Sequence, residues 1–101
     1  MKGDLNLLTL NVFFDVKEEN KQEFLSLLNN MVVESNKEVG CSYYHLLQDL
    51  VQKNRYTLIE HWDSEEALNS HNKTTHWIYF NDTVNNYLST QYEEHHYMEI
   101  Q

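Results

Sequence analysis

The chain has 101 residues, enough for one domain and too few for a second closed core. Against 16 Asp and Glu stand only 7 Lys and Arg, a formal net charge of −9. That sign argues against a nucleic-acid partner and against an anionic membrane surface, both of which call for a basic footprint.

The first element is a strand. Leu8, Leu10, Val12, Phe14 and Val16 alternate with Thr9, Asn11, Phe13 and Asp15, a period of two. From about Glu18 the period becomes helical, with Phe24, Leu27, Leu28, Met31 and Val32 on one stripe. The acidic pair Glu18–Glu19 suits the helix start, and Gly40 is expected to end it in a left-handed conformation. Cys41 to Asp49 is a second strand, and Leu50 to Asn54 a turn. Arg55 to Trp62 is a third strand, with Tyr56, Leu58, Glu60 and Trp62 on one face and Arg55, Thr57, Ile59 and His61 on the other. Asp63 or Ser64 caps a short helix through Leu68. A further helix is expected from about Thr74 to Leu88, striped by Trp77, Phe80, Val84 and Leu88, and the tail from Thr90 to Ile100 alternates as a fourth strand.

The order β-α-β-β-α-β is the split ferredoxin-like unit, an α+β fold with two helices on one face of a four-stranded antiparallel sheet. Residues 1–101 form one domain in this reading. Bulky groups stand on both faces of the first and third strands, so the second face needs cover. A homodimer packed sheet against sheet supplies it.

Other classes are set aside on composition. The lone Cys41 excludes an intrachain disulfide and a cysteine-based zinc site, and suggests a reducing, cytoplasmic setting. No run approaches the ~20 apolar residues of a membrane span. Asp4, Asn6 and Asn11 interrupt the leading stretch from Met1 to Val16, which speaks against a signal peptide. There is no Gly-rich phosphate loop, no Ser-His-Asp spacing and no nucleotide fingerprint.

The residues able to carry chemistry cluster around Glu60, Trp62, His71 and His76. Glu60 and Trp62 point the same way from one strand, and a carboxylate beside an indole must be paired, wet or perturbed in pKa. Either Trp62 fills core and Glu60 finds a local donor, or Trp62 is a wall for an aromatic ligand and Glu60 its polar anchor. His71 and His76 are capping groups or proton carriers at a pocket mouth. Metal binding needs three convergent ligands. His45, His61, His71 and His76 come from opposed faces, so no metal is expected. His95 and His96 point to opposite sides of a strand and are read as structural. Asn11, a polar residue among Leu10, Val12 and Phe13, either bonds across the dimer or holds a ligand oxygen. Tyr43, Tyr44, Tyr56 and Tyr79 suit core and interface, and Cys41 is an inert small apolar residue.

Glu38-Val39-Gly40-Cys41-Ser42-Tyr43-Tyr44 and Glu60-His61-Trp62-Asp63-Ser64-Glu65-Glu66-Ala67-Leu68, with His71 and His76 after them, resemble the antibiotic biosynthesis monooxygenase (ABM) family. That family carries a Glu-Pro-Gly-Cys-x-x-Tyr element and a Glu-x-Trp-x-Ser-x-x-Ala-Leu-x-x-His element; Val39 stands where Pro is usual. The resemblance implies a dimeric α+β barrel with a pocket between sheet and helices in each subunit. It also implies oxidation of a small phenolic or quinol-type aromatic by O₂ without a cofactor. On that basis His71 and His76 manage protons or orient the phenol, Glu60 orients one of these as the third catalytic group, and Trp62 is the substrate's wall; Tyr44 and Phe80 are expected beside it. Asn11, which is on no family position, is expected to hold a substrate oxygen. Haem-degrading relatives carry a Trp and a His where this chain has His71 and Asn81, and the missing iron ligand weighs against haem. A branch that isomerises a phosphorylated signal needs basic pocket residues, and Arg55 has the wrong parity. A non-catalytic dimeric binding or stress-response module is the alternative from another class.

Overall fold

Strand β1, Leu8–Asp15, is the centre from which the molecule is built. Its alternation is realised as a two-sided strand: Leu10, Val12 and Phe14 are buried, while Thr9, Asn11, Phe13 and Asp15 face the other way. This computed structural model describes residues 7–100. Met1 to Asn6, part of the leading stretch weighed above as a signal peptide, and Gln101 lie outside them.

A 3-10 turn, Glu18–Asn20, leads into helix α1, Lys21–Ser35. Strands β2, Cys41–Gln48, and β3, Arg55–Trp62, follow as a hairpin. Helix α2, Glu65–His71, and helix α3, Thr75–Thr83, come next, then a 3-10 turn, Val84–Tyr87, and strand β4, Glu93–Met98. The sheet order is β2-β3-β1-β4, with every pairing antiparallel. This is the expected ferredoxin-like α+β fold, with α2 and α3 together in place of the second helix.

One core joins sheet and helices. Leu10, Val12, Phe14, Tyr56, Leu58 and Trp62 from the strands meet Phe24, Leu27, Leu28, Met31, Phe80, Val84 and Leu88. Burial on β3 alternates without a fault, so Tyr56, Leu58, Glu60 and Trp62 all face the helices. β4 is an edge strand and exposed along its whole length.

β2 ends at Gln48, α2 runs on to His71 and β4 is confined to Glu93–Met98, and two helix ends move for identifiable reasons. α1 stops at Ser35, five residues before Gly40, because Asn36 closes it: its Nδ2 donates to the Val32 carbonyl at 2.8 Å and to the Tyr44 carbonyl at 2.9 Å. Gly40, at φ +90°, serves instead the turn into β2, where its carbonyl accepts the Asp63 N–H at 2.8 Å. The third helix ends at Thr83 and tightens to 3-10 geometry, so the expected stripe through Leu88 is kept while the α-helix is shorter.

Candidate active site

Register places the site at one end of the sheet. Trp62, the last residue of β3, lies between Leu8 of β1 and Cys41 of β2. The chain then turns through Ser64, whose Oγ accepts the Ala67 N–H at 3.1 Å and caps α2. α2 ends on His71. Thr74 ties this end to the next helix: its Oγ1 donates to the His71 carbonyl at 2.8 Å and accepts the Trp77 N–H at 3.1 Å, capping α3. His76 thus sits in the first turn of α3, facing back toward α2.

The two imidazoles meet on one carboxylate. Glu38, in the turn between α1 and β2, places Oε2 2.7 Å from His71 Nδ1 and 2.6 Å from His76 Nε2. The side chain of His71 is 2 % exposed, those of Glu38 and His76 14 % and 15 %. His71 is the inner member of the cluster and the other two form its rim. Burial lowers the pKa of His71, opposed by its bond to Glu38.

Behind His71 lies a stack of aromatic rings. Its ring centroid is 4.5 Å from Trp62 and 5.5 Å from Tyr44, and Tyr44 meets Trp62 edge-on at 6.3 Å. Trp62 Nε1–H donates to Glu60 Oε1 at 2.9 Å. Burial raises the Glu60 carboxyl to about 8, against the indole bond that favours its charged form. Burial also lifts the Tyr44 hydroxyl well above its ordinary range, and the Cys41 thiol to about 11, which leaves that thiol protonated and inert.

The structure therefore brings Glu60, Trp62, Tyr44, His71 and His76 together. Phe80 is buried farther along the core, against Phe14 and Tyr92. Asn11 does not join them. It pairs with Ile59 and His95 in register, and shares the sheet face opposite to Glu60 and Trp62. Trp62 is wholly buried, with His71 packed on it, so its indole is core rather than an open wall.

The opposed-face argument against metal ligands holds for His45 and His61, whose rings flank Tyr43 on the open face of the sheet. It fails for His71 and His76, which converge because Thr74 folds α3 back onto α2. Their third partner, Glu38, was missed. Its one signal in sequence is its place at the head of the Glu-x-Gly-Cys element. Glu38 also lines an open cleft of ≈ 560 Å³ with Gly40, Asp63, Glu66, Ser70 and Thr74, which brings the cluster to the surface.

Comparison with known proteins agrees with this architecture. Residues 7–83 match the model of the family described as antibiotic biosynthesis monooxygenase. The chain is 32 % identical over 71 residues to "Putative monooxygenase YcnE" of Bacillus subtilis (strain 168), a match covering 70 % of this chain and 75 % of that one. A conserved protein from Methanosarcina mazei Go1 superposes with a TM-score of 0.88 at 26 % identity, covering 93 % of each chain. A structure from Nitrosomonas europaea titled "Putative antibiotic biosynthesis monooxygenase" gives 0.88 at 19 % identity over 99 % of this chain and 96 % of that one, a likeness of fold. The chain belongs to the antibiotic biosynthesis monooxygenase family.

Proposed function

We propose that the protein is a cofactor-independent monooxygenase of a small phenolic or quinol-type aromatic. His71 and His76 move the substrate's proton through Glu38, and Glu60 and Trp62 pack behind them as core. The observation that carries this reading is the single Glu38 oxygen shared by two imidazoles. It makes a short path for a proton from the rim at His76 to the buried ring of His71. An electron-rich arene, once deprotonated, passes an electron to O₂ without help from a prosthetic group. For an anthrone the balance is a ring CH₂ plus O₂ giving C=O plus water, with one oxygen atom retained. The protein supplies proton transfer and orientation.

The working unit in this reading is a homodimer with the open sheet faces together. Support comes from the half-buried Phe13, Tyr43 and Ile59 and the exposed Leu47, all on strands whose other face is the core, and from the exposed Tyr97 on the edge strand β4. Sedimentation at a single 12.2 kDa chain would remove it.

The burial of Trp62, Tyr44 and His71 favours one other reading, a non-catalytic binding module whose rings are only core. Oxygen uptake over a panel of anthrones and dihydroxynaphthalenes separates the two. The monooxygenase consumes O₂, leaves one labelled oxygen atom from ¹⁸O₂ in the product, and loses about 10²-fold or more in kcat on His71→Ala. Absence of uptake across the panel leaves the binding module.

A further inference from the structure

We propose that Glu38, His71 and His76 form a binding site for one divalent transition-metal ion of the Zn²⁺ class. The ion would use the same donor atoms as the proton path above, so the two are alternative occupations of one cluster, and binding is tested here without reference to turnover.

Ligand chemistry is the first argument. Two imidazole nitrogens and one carboxylate oxygen are a donor set that binds zinc with a coordination position left open, and that suits other first-row divalent ions. The second is convergence. Three separate segments, the turn before β2, the end of α2 and the start of α3, each contribute one donor atom, and these atoms all lie within 4.8 Å of one another. Present spacings of 2.7 and 2.6 Å are hydrogen-bond lengths. Ligands held at about 2.0–2.1 Å from a tetrahedral ion stand roughly 3.3 Å apart. Glu38 Oε2 now stands where both imidazole nitrogens point, so accepting the ion asks it to withdraw by on the order of 1 Å and the two nitrogens to settle at about 3.3 Å from each other. Glu38 is in a turn, and its carboxylate is on the rim, so that movement is a side-chain adjustment. The imidazole protons now shared with Glu38 move to the other ring nitrogens, leaving a lone pair on each donor.

Surroundings favour a cation. The cleft that opens on Glu38 is also lined by Asp63 and Glu66, and no Lys or Arg is among its lining residues. His71 is held by the faces of Trp62 and Tyr44, and Thr74 fixes the angle between the helices that carry the two histidines. The cleft reaches the cluster at Glu38, the side from which an ion and its water would enter. The surface pairs Glu93–His95 and Glu94–His96 each offer only two donors, far more exposed, and serve as the internal comparison.

The test is titration of the full, chelator-treated chain with Co²⁺, following its visible ligand-field bands, then displacement by Zn²⁺. Calorimetry gives the stoichiometry. The expected result is saturation at one ion per chain, tighter binding of Zn²⁺ than of Co²⁺, and at least a tenfold loss of affinity in Glu38→Gln and in His76→Ala. His95→Ala and His96→Ala bind as the parent does. Circular dichroism checks that His76→Ala is folded, and Glu38→Gln, nearly the same shape, decides the matter if it is not. Absence of saturable binding overturns the site. So does binding that survives Glu38→Gln, or that is lost in His95→Ala or His96→Ala. None of these outcomes depends on O₂ uptake, so the metal site and the monooxygenase reading fail separately.

Discussion

Trp62 and Glu60 are two residues apart on one strand, and the indole N–H of the first donates to the buried carboxyl of the second at 2.9 Å. Both side chains face the helices, so neither can turn to water for a partner. Burial prevails over the hydrogen bond and leaves the Glu60 carboxyl titrating at about 8, where an ordinary one titrates at 4.5.

A pH dependence of stability follows. The folded chain keeps a proton on Glu60 that the unfolded chain releases near 4.5. The contribution is complete below 4.5, is lost as pH rises to about 8, and is flat beyond. Glu60→Gln removes this slope, on the order of a few kcal/mol across the window. Urea unfolding at about pH 5 and about pH 9 checks it: the parent loses stability relative to the variant as pH rises. A constant gap contradicts the burial argument.

Trp62→Phe acts on the same pair from the other side. It removes the donor that favours the charged carboxyl, so the Glu60 pKa moves above its present value of about 8. It also leaves Glu60 without its indole partner and shrinks a fully buried ring, a combined loss of about 2–4 kcal/mol. A titration of the Glu60 carboxyl carbon by NMR reads the first effect, and thermal unfolding reads the second.

Gly40→Ala is expected to be the most damaging single methyl in the turn before β2. The φ of +90° penalises any side chain, and a Cβ there stands 2.5 Å from the Ala67 Cβ. The two costs together are about 2–4 kcal/mol, seen as a lower Tm. Ala67→Gly in the same chain removes the clash and leaves the φ penalty and a helix-propensity cost. Partial recovery in the double variant separates the two effects.

Much of this fold was legible because one sheet face packs on helices. The period of two in β1 and β3 is the burial pattern itself, and Phe24, Leu27, Leu28 and Met31 mark the face α1 buries. Of the two readings of Asn11, the substrate-oxygen one does not fit this cluster: the residue has the parity of Thr9 and Phe13, not of Leu10 and Val12, and so stands on the open sheet face. Glu38 had no periodic signal, because it sits in a turn and its partners are 33 and 38 positions away. Long-range pairing of polar groups leaves no local trace in a sequence, whereas burial of an apolar face leaves a repeating one. The early end of α1 has a similar cause. Asn36 stops the helix by reaching the Tyr44 carbonyl, a bond that exists only once β2 is in place.

Thr74→Ala probes the joint on which the histidine cluster depends. The hydroxyl caps α3 through Trp77 and holds the last carbonyl of α2, so its removal costs about 1–2 kcal/mol in stability. Loss of a cap alone lowers Tm and goes no further. The geometry here requires more, because Thr74 sets how closely His76 approaches Glu38. The His71 and His76 ring resonances are expected to shift together in Thr74→Ala, while His95 and His96 keep theirs. Thr74→Ser retains the hydroxyl and restores both Tm and the resonances. If Thr74→Ala lowers Tm but leaves every histidine signal in place, the cluster is held by Glu38 and the aromatic stack without the joint, and Thr74 is a helix cap alone.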